Sequence, residues 1–402
     1  MLSTGTPVGN IQPYFLTQVV PDLDPAKVLG QQPELAAITG QALAVADIFT
    51  GFIEAARASL DIAIYDFRLL PGALTDKIVG AVRDAAGRGV AVRLAYDKTT
   101  GTDDDATLKA FAGAGGDPAP TGTHLFVARA FGEQAARAAG IQVQPILEEA
   151  IDPGTSHIMH QKYIVRDAGT ADAAVLTGSA NFTTDAWGIQ ENNVLVISGA
   201  QDLAAAYEQD FAGLWTTQGL AGTGAGDIGS VTIGGNPGTD VAYSFAPGEG
   251  RATETAIAAL VSGATRRIRV ASMVLSSPKI LQALLDQINA GLDVAGIYDG
   301  GEMDDVVVNW QSHPSSAATL ALWQKVQQHL VAKASVPFEA KTIHNFMHNK
   351  IVVADDTVAT GSFNLSKNAT GNAENVLRIT SADLAGQYAA YVDSLVRLYA
   401  TA

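Results

Sequence analysis

The chain has no cysteine, which excludes disulfides, thiol nucleophiles and thiolate metal sites. It is short of bases, with 25 Lys and Arg against 41 Asp and Glu and a net charge of −16. A protein that grips a duplex or a long strand does so largely with Lys and Arg on phosphates. A broad nucleic-acid surface is therefore disfavoured, though a small basic pocket inside an acidic protein is not. No run of roughly 18 apolar residues occurs, so no membrane span is expected. The start, MLSTGTPVGN, lacks a basic stretch followed by an apolar one, so no secretory signal is read there. Cytoplasmic and secreted, leader-trimmed forms both stay open, as does the oligomeric state.

What is present is the composition of a packed globule: 47% hydrophobic and 16% charged residues over 402 positions, enough for two domains or one duplicated unit. The chain also reads twice. Leu60–Phe67 is strand-like, Leu74–Ala86 has a helical pattern, and Val90–Tyr96 is a second strand ending at Asp97. In the second half Ile268–Val274, Pro278–Asn289 and Val294–Tyr298 repeat that order, ending at Asp299. Each unit follows an amphipathic stretch, Ala46–Ala58 or Ala252–Ser262, and before that an aromatic segment, Tyr14-Phe15 or Tyr243–Phe245. Such β-α-β units predict parallel pairing with helices on the sheet faces. Between the halves, 218–236 is dense in Gly and Thr and reads as a crossing, with a short strand at Ser230–Ile233. The expected division is 1–217, the crossing, and 237–402.

Two segments carry chemistry. Met159-His160-Gln-Lys162 runs on to Asp167, followed by Gly178-Ser179-Ala-Asn181 and Gln190-Glu191-Asn192. Met347-His348-Asn-Lys350 runs on to Asp355, followed by Gly361-Ser362-Phe-Asn364 and Ala373-Glu374-Asn375. Residues two apart on a strand project from one face, so each His and Lys enter one space, as do Ser179 with Asn181 and Ser362 with Asn364. A neutral imidazole can attack phosphorus and a protonated one can donate to a leaving oxygen. Lys gives a fixed positive charge for phosphoryl oxygens, Ser and Asn give hydrogen-bond donors, and a carboxylate such as Glu191 or Glu374 can hold an imidazole in one tautomer. One His-x-Lys-x4-Asp arises by chance in on the order of one chain in a hundred, whereas two with matching trailers form a specific signal.

These residues closely resemble the phospholipase D superfamily, over nearly the whole chain. The resemblance implies an α/β fold of two pseudo-twofold-related halves. Each would be a mainly parallel mixed sheet flanked by helices, with one shared active site at their interface. It further implies a two-step reaction without metal or other cofactor. His160 would be the nucleophile, forming a phosphohistidine, and His348 the general acid and then base. Lys162, Lys350, Asn181 and Asn364 would cradle the phosphoryl oxygens, supported by Ser179 and Ser362. Glu191 and Glu374 would orient His160 and His348, while Asp167 and Asp355 would fix loops.

The implied partner is a phosphodiester, with phospholipid head groups favoured over nucleic acid by the acidic composition and with peripheral contact to a membrane surface open. A sequence-independent nuclease is the second reading and a non-catalytic scaffold of the same fold the third; the intact second motif speaks against the scaffold. A cardiolipin synthase is disfavoured for want of membrane segments, and a tyrosyl-DNA phosphodiesterase because both motifs keep their Asp. His157 and His344 stand close enough to the motif histidines to contact substrate or to pair with them on a metal, and lie equally well on surface loops; the neighbouring Lys argues against the metal. Substrate choice is expected in Lys98–Ser156, with Leu125–Val127, Arg129 and Phe131, and in Gly300–Ile343, with Val306–Trp310 and Trp323. Acyl contact, base stacking and plain core packing all suit these apolar groups.

Overall fold

Runs rich in β-branched and aromatic residues become strands, and in the computed structural model of this chain they gather into two eight-stranded sheets. The structure describes residues 1–19, 32–69, 72–98, 139–152, 155–234, 238–335 and 344–400. From edge to edge the first sheet runs Leu2–Thr4, Ile11–Leu16, Asn192–Ser198, Ala174–Gly178, Lys162–Arg166, Ser59–Ile64, Ala91–Lys98 and Ile141–Leu147. The second runs Ile228–Ile233, Thr239–Ala246, Glu374–Thr380, Thr357–Gly361, Lys350–Ala354, Arg267–Ser272, Asp293–Asp299 and Val331–Lys333. Position for position the two orders are the same. The chain is a structural duplication of one α/β half.

The sheets are mixed, as expected, but not mainly parallel. Only the two pairings beyond Ser59–Ile64, and the two beyond Arg267–Ser272, are parallel. These carry the crossovers through Ala73–Gly87 and Pro278–Asn289 that a parallel step requires. The motif strands instead turn straight back onto Ala174–Gly178 and Thr357–Gly361, and links of a few residues permit only antiparallel pairing. The parallel character that the β-α-β units predict stops at those units and does not extend to the strands joined by hairpins.

Three apolar clusters fix the layers. One lies between the sheets and includes Tyr163, Val165, Ile351 and Val353. Into it pack the helices Gln201–Thr217, through Tyr207 and Phe211, and Ala382–Tyr399, through Tyr388 and Val392. The other two cover the outer faces of the sheets. The helix Gln32–Glu54 belongs to the first outer layer; its segment Ala36–Glu54 is long and apolar enough to cross a membrane, a candidate that the sequence reading did not register. Half of that segment is buried here, where Val45, Phe49 and Ile53 pack against the sheet, which accounts for its hydrophobicity. Within 218–236, Ile228–Ile233 pairs along Thr239–Ala246 and forms the edge of the second sheet, two residues longer than the strand read from sequence. Trp323 is fully buried, edge-on to Tyr298 at 4.8 Å, and Val306 and Trp310 pack against the same core. Leu125–Val127, Arg129 and Phe131 lie outside the described residues.

Candidate active site

Each motif histidine is suspended between the halves. The N–H of Met159 is taken by Asp97 (2.8 Å), which ends a strand of its own half, and the N–H of His160 by the carbonyl of Ala373 in the other half (2.9 Å). The second motif repeats this: Met347 N–H to Asp299 (2.8 Å), His348 N–H to the Glu191 carbonyl (3.0 Å). The Asp near the end of each β-α-β unit thus aims the residue before the motif histidine.

The rings cross over as well. His160 Nδ1 lies 2.8 and 2.9 Å from the two carboxylate oxygens of Glu374, a residue of the second half. His348 Nδ1 lies 3.0 Å from Oδ1 of Asn192, a residue of the first. Here the structure corrects the expected pairing of Glu191 with a histidine. Glu191 is buried with its side chain turned to Lys333, Tyr399 and the Gln18 N–H, and touches neither ring. Register explains the displacement. Gly178 pairs with Val194 and Gly361 with Val376, so the residues two before those valines are equivalent: Asn192 and Glu374. The ungapped match of Asn193-Val-Leu-Val-Ile to Asn375-Val-Leu-Arg-Ile carried that signal in the sequence, but the repeated Glu-Asn dipeptide masked it.

The electrostatics draw both motifs into one site. Burial pulls the His160 imidazole well below its ordinary value, the charges of Lys162 and Lys350 pull the same way, and a bond to the Ser362 backbone opposes them. Burial likewise lowers His348, helped by Lys350, Lys162 and His160 and opposed by a bond to the Ser179 backbone. Each ring therefore feels both lysines and lies against the Gly-Ser turn of the opposite half. Burial takes the Lys162 ammonium down to about 7 against the pull of Glu374, Asp66 and Asp97. Burial and Lys162 bring Lys350 well below its ordinary value. Each lysine donates to the carbonyl of its own histidine, at 2.8 Å for Lys162 and 2.6 Å for Lys350. Two buried lysines beside two imidazoles, all held below their ordinary values, form a site short of an anion.

Burial also pushes the Glu374 carboxyl up, to about 8, while Lys162, Ser362, Asn372 and Lys350 draw it down. Its oxygens already accept from Asn372 Nδ2 (3.1 Å) and the Ser362 hydroxyl, as an ionised carboxylate does, so the shared proton is placed on His160 Nδ1. Asn192 Oδ1 is an acceptor too, already taking the Ser179 hydroxyl at 2.7 Å, which places a proton on His348 Nδ1. In the neutral rings both Nε2 atoms then carry lone pairs.

Ser179 and Ser362 bond the groups that hold the rings. Asn181 Oδ1 and Asn364 Oδ1 are buried and have no hydrogen-bond partner among the described residues. The glycines of these turns are obligatory: at φ 151° and 147°, a Cβ on Gly178 or Gly361 would meet the carbonyl of Asn193 or Asn375 at 2.2 Å. Asp167 and Asp355 lie at the far ends of the motif strands, away from the histidines. Both take positive φ and accept backbone N–H groups, of Arg57, Ala58 and Ser59 for Asp167 and of Thr265, Arg266 and Arg267 for Asp355.

His157 and His344 are buried, so neither is on a surface loop. His344 lies 3.7 Å from Asp185 and stacks on Phe346. No group of three or more His, Asp or Glu side chains among the described residues is gathered as for a metal ion. Tyr65, which sequence reading passed over, has its ring 4.9 Å from the His160 ring and 5.0 Å from Lys162 Nζ. Its equivalent is Met273, since the N–H groups of Tyr65 and Met273 bond the carbonyls of Gln161 and Asn349.

The two halves of the chain find their counterpart in known sequences. Residues 49–215 and 257–396 each match the family described as cardiolipin synthase, PLD-like domain. The chain belongs to the phospholipase D-like family. Among solved phospholipase D-like folds, the phosphatidylserine synthase of Haemophilus influenzae superposes with a TM-score of 0.56 at 14% identity, over 89% of this chain and 84% of that one. Nuc, a phospholipase D family member from Salmonella typhimurium, matches at 24% identity over 39% of this chain and 93% of its own, with a TM-score of 0.30. NucT from Helicobacter pylori matches at 19% identity over 40% and 96%, with a TM-score of 0.30. No curated protein matches the chain.

Proposed function

We propose that the chain cleaves phosphodiesters of small or lipid substrates in two steps, with His160 as nucleophile and His348 as acid and base. The observation that carries this reading is the unequal support of the two rings: a carboxylate, Glu374, on His160 and an amide, Asn192, on His348. When His160 Nε2 bonds phosphorus, its ring becomes cationic. A carboxylate against Nδ1 stabilises that charge far better than an amide does. His348 has no carboxylate on its ring, so its imidazolium gives up a proton more readily. Divergence has made one half the nucleophile and the other the acid.

In the first step an N–P bond forms at His160, the P–O bond to the leaving group breaks, and the His348 proton passes to the leaving oxygen. In the second, His348 takes a proton from water or an acceptor alcohol, whose oxygen displaces His160 from phosphorus. Lys162, Lys350, Asn181 and Asn364 are assigned to the phosphoryl oxygens. The bound diester returns charge to a pocket whose lysines are otherwise depressed. The excess of acids over bases, 41 to 25, favours a small or lipid diester over a long polyanion.

The reading is tested with phosphatidylcholine vesicles, bis-p-nitrophenyl phosphate and single-stranded DNA side by side in EDTA. Release of choline with DNA untouched is the expected result. Cleavage of DNA alone would establish a nuclease instead, and a folded protein that turns over none of the three would favour a scaffold.

A further inference from the structure

Glu191, displaced from the ring of His348, is left as a buried carboxylate with its own partners. Its two oxygens receive Lys333 Nζ, the Tyr399 hydroxyl and the Gln18 N–H (3.2 Å). Lys333 is equally buried, at the end of Val331–Lys333, and its Nζ lies 5.3 Å from the centre of the Tyr399 ring. Three other segments therefore meet on this one side chain: the N-terminal strand region, the edge of the second sheet and the C-terminal helix.

The main chain of Glu191 points the other way, at the site. Its N–H bonds the Phe346 carbonyl at 3.1 Å and its carbonyl takes the His348 N–H at 3.0 Å. The next residue, Asn192, holds His348 Nδ1, and its carbonyl accepts from the Tyr391 hydroxyl at 3.2 Å. Backbone and ring of His348 thus both hang on the dipeptide Glu191–Asn192.

The equivalent position in the other half is Ala373, whose carbonyl takes the His160 N–H with no charged anchor at all. The backbone task alone therefore does not need a carboxylate. A buried ion pair is also a poor device for stability, since desolvating both charges offsets most of the attraction. What differs between the halves is the bond to the ring. His160 is held by a charge-assisted contact, roughly twice as strong as the neutral one that His348 makes to an amide. The weaker ring bond coincides with the stiffer mount.

We propose that Glu191, Lys333 and Tyr399 form a positioning cluster that aims His348 at the leaving-group oxygen. This rests on the assignment of His348 as general acid. The readout separates aiming from plain structural support, because only a leaving group that departs as an alkoxide needs the proton; a nitrophenolate leaves without it.

The experiment compares single-turnover cleavage of an alkyl phosphodiester and a p-nitrophenyl phosphodiester by wild type and the double variant Glu191→Gln/Lys333→Met, which removes both buried charges together. The expected result is a loss of about 10²-fold on the alkyl ester with little change on the nitrophenyl ester and in KM. Equal losses on both esters, or none on either, would overturn the proposal. Tyr399→Phe, which removes one hydroxyl, is run in parallel and should show the same selectivity at smaller size; should the double variant not fold, this variant decides by the same criterion. His348→Asn serves as the reference. If it shows no preference for the nitrophenyl ester, the assignment of His348 has failed and the cluster proposal falls with it; if it does while the cluster variants do not, only the cluster proposal fails.

Discussion

Glu374 and His160 lie 214 positions apart in the chain and 2.8 Å apart in space. That contact makes neither half sufficient alone. Each half contributes a lysine that opens a central strand and a histidine two residues before it, and each receives the other's ring with a Gly-Ser turn and with the first residue of the strand that follows, Asn192 or Glu374. The histidine sites are therefore interleaved, and what differs between them is the chemical nature of the receiving residue.

From that difference follows an unequal response to mutation. Glu374→Gln is expected to lower kcat/KM on bis-p-nitrophenyl phosphate by about 10²–10⁴-fold, as loss of an imidazole's orienting carboxylate does. Asn192→Ala loosens the ring of the acid, which a nitrophenolate leaving group does not need, and should change kcat/KM on this ester little. Steady-state kinetics on folded samples checks this; equal losses would remove the basis for naming His160 the nucleophile.

Anion binding should take up protons. Burial and the lysine charges hold both imidazoles below their ordinary value, and burial alone brings Lys162 to about 7. A bound phosphate offsets those charges and raises all of these groups. Titration of inorganic phosphate at pH 7.5–8 (calorimetry in buffers of different ionisation enthalpy) should show net proton uptake on the order of one per site. Proton release would contradict the electrostatic picture.

Asp355 should stabilise the fold in a defined pH range. Burial pushes its carboxyl up, but the N–H groups of Thr265, Arg267 and Arg266 and the Thr265 hydroxyl bring it down to about 2. A carboxyl depressed in the folded state contributes stability that is fully present above its unfolded value and is lost as pH falls through the folded one. Urea midpoints of wild type should therefore exceed those of Asp355→Asn at pH 6, and the gap should close between about pH 4 and pH 2. A gap that does not change with pH would show that the carboxylate's charge is immaterial.

Much of this was legible in the sequence because the motif is written twice. His and Lys two apart, repeated with their trailing Gly-Ser-x-Asn, mark groups whose charges meet, although each histidine lies two residues ahead of its strand and not on a strand face. The repeated β-α-β units and their terminal aspartates likewise foretold the duplicated halves. The partner of each ring was not legible by inspection, because it depends on register across a hairpin, where a shift of one residue turns a side chain to the opposite face. The Glu191-Asn192 and Glu374-Asn375 dipeptides look alike and sit one register apart, so Glu191 faces Lys333 while Glu374 faces His160. The antiparallel majority of the sheet escaped notice for a similar reason: hairpin links are short and carry little pattern of their own.

The most direct test is the identity of the covalent intermediate. His348→Asn, mixed with bis-p-nitrophenyl phosphate, keeps the nucleophile and a leaving group that needs no acid, but lacks the base for the second step. After an alkaline quench, peptide mass spectrometry should find the p-nitrophenyl phosphoryl adduct on His160. An adduct on any other residue, or p-nitrophenolate released in a stoichiometric burst with His160 unmodified, would contradict the account.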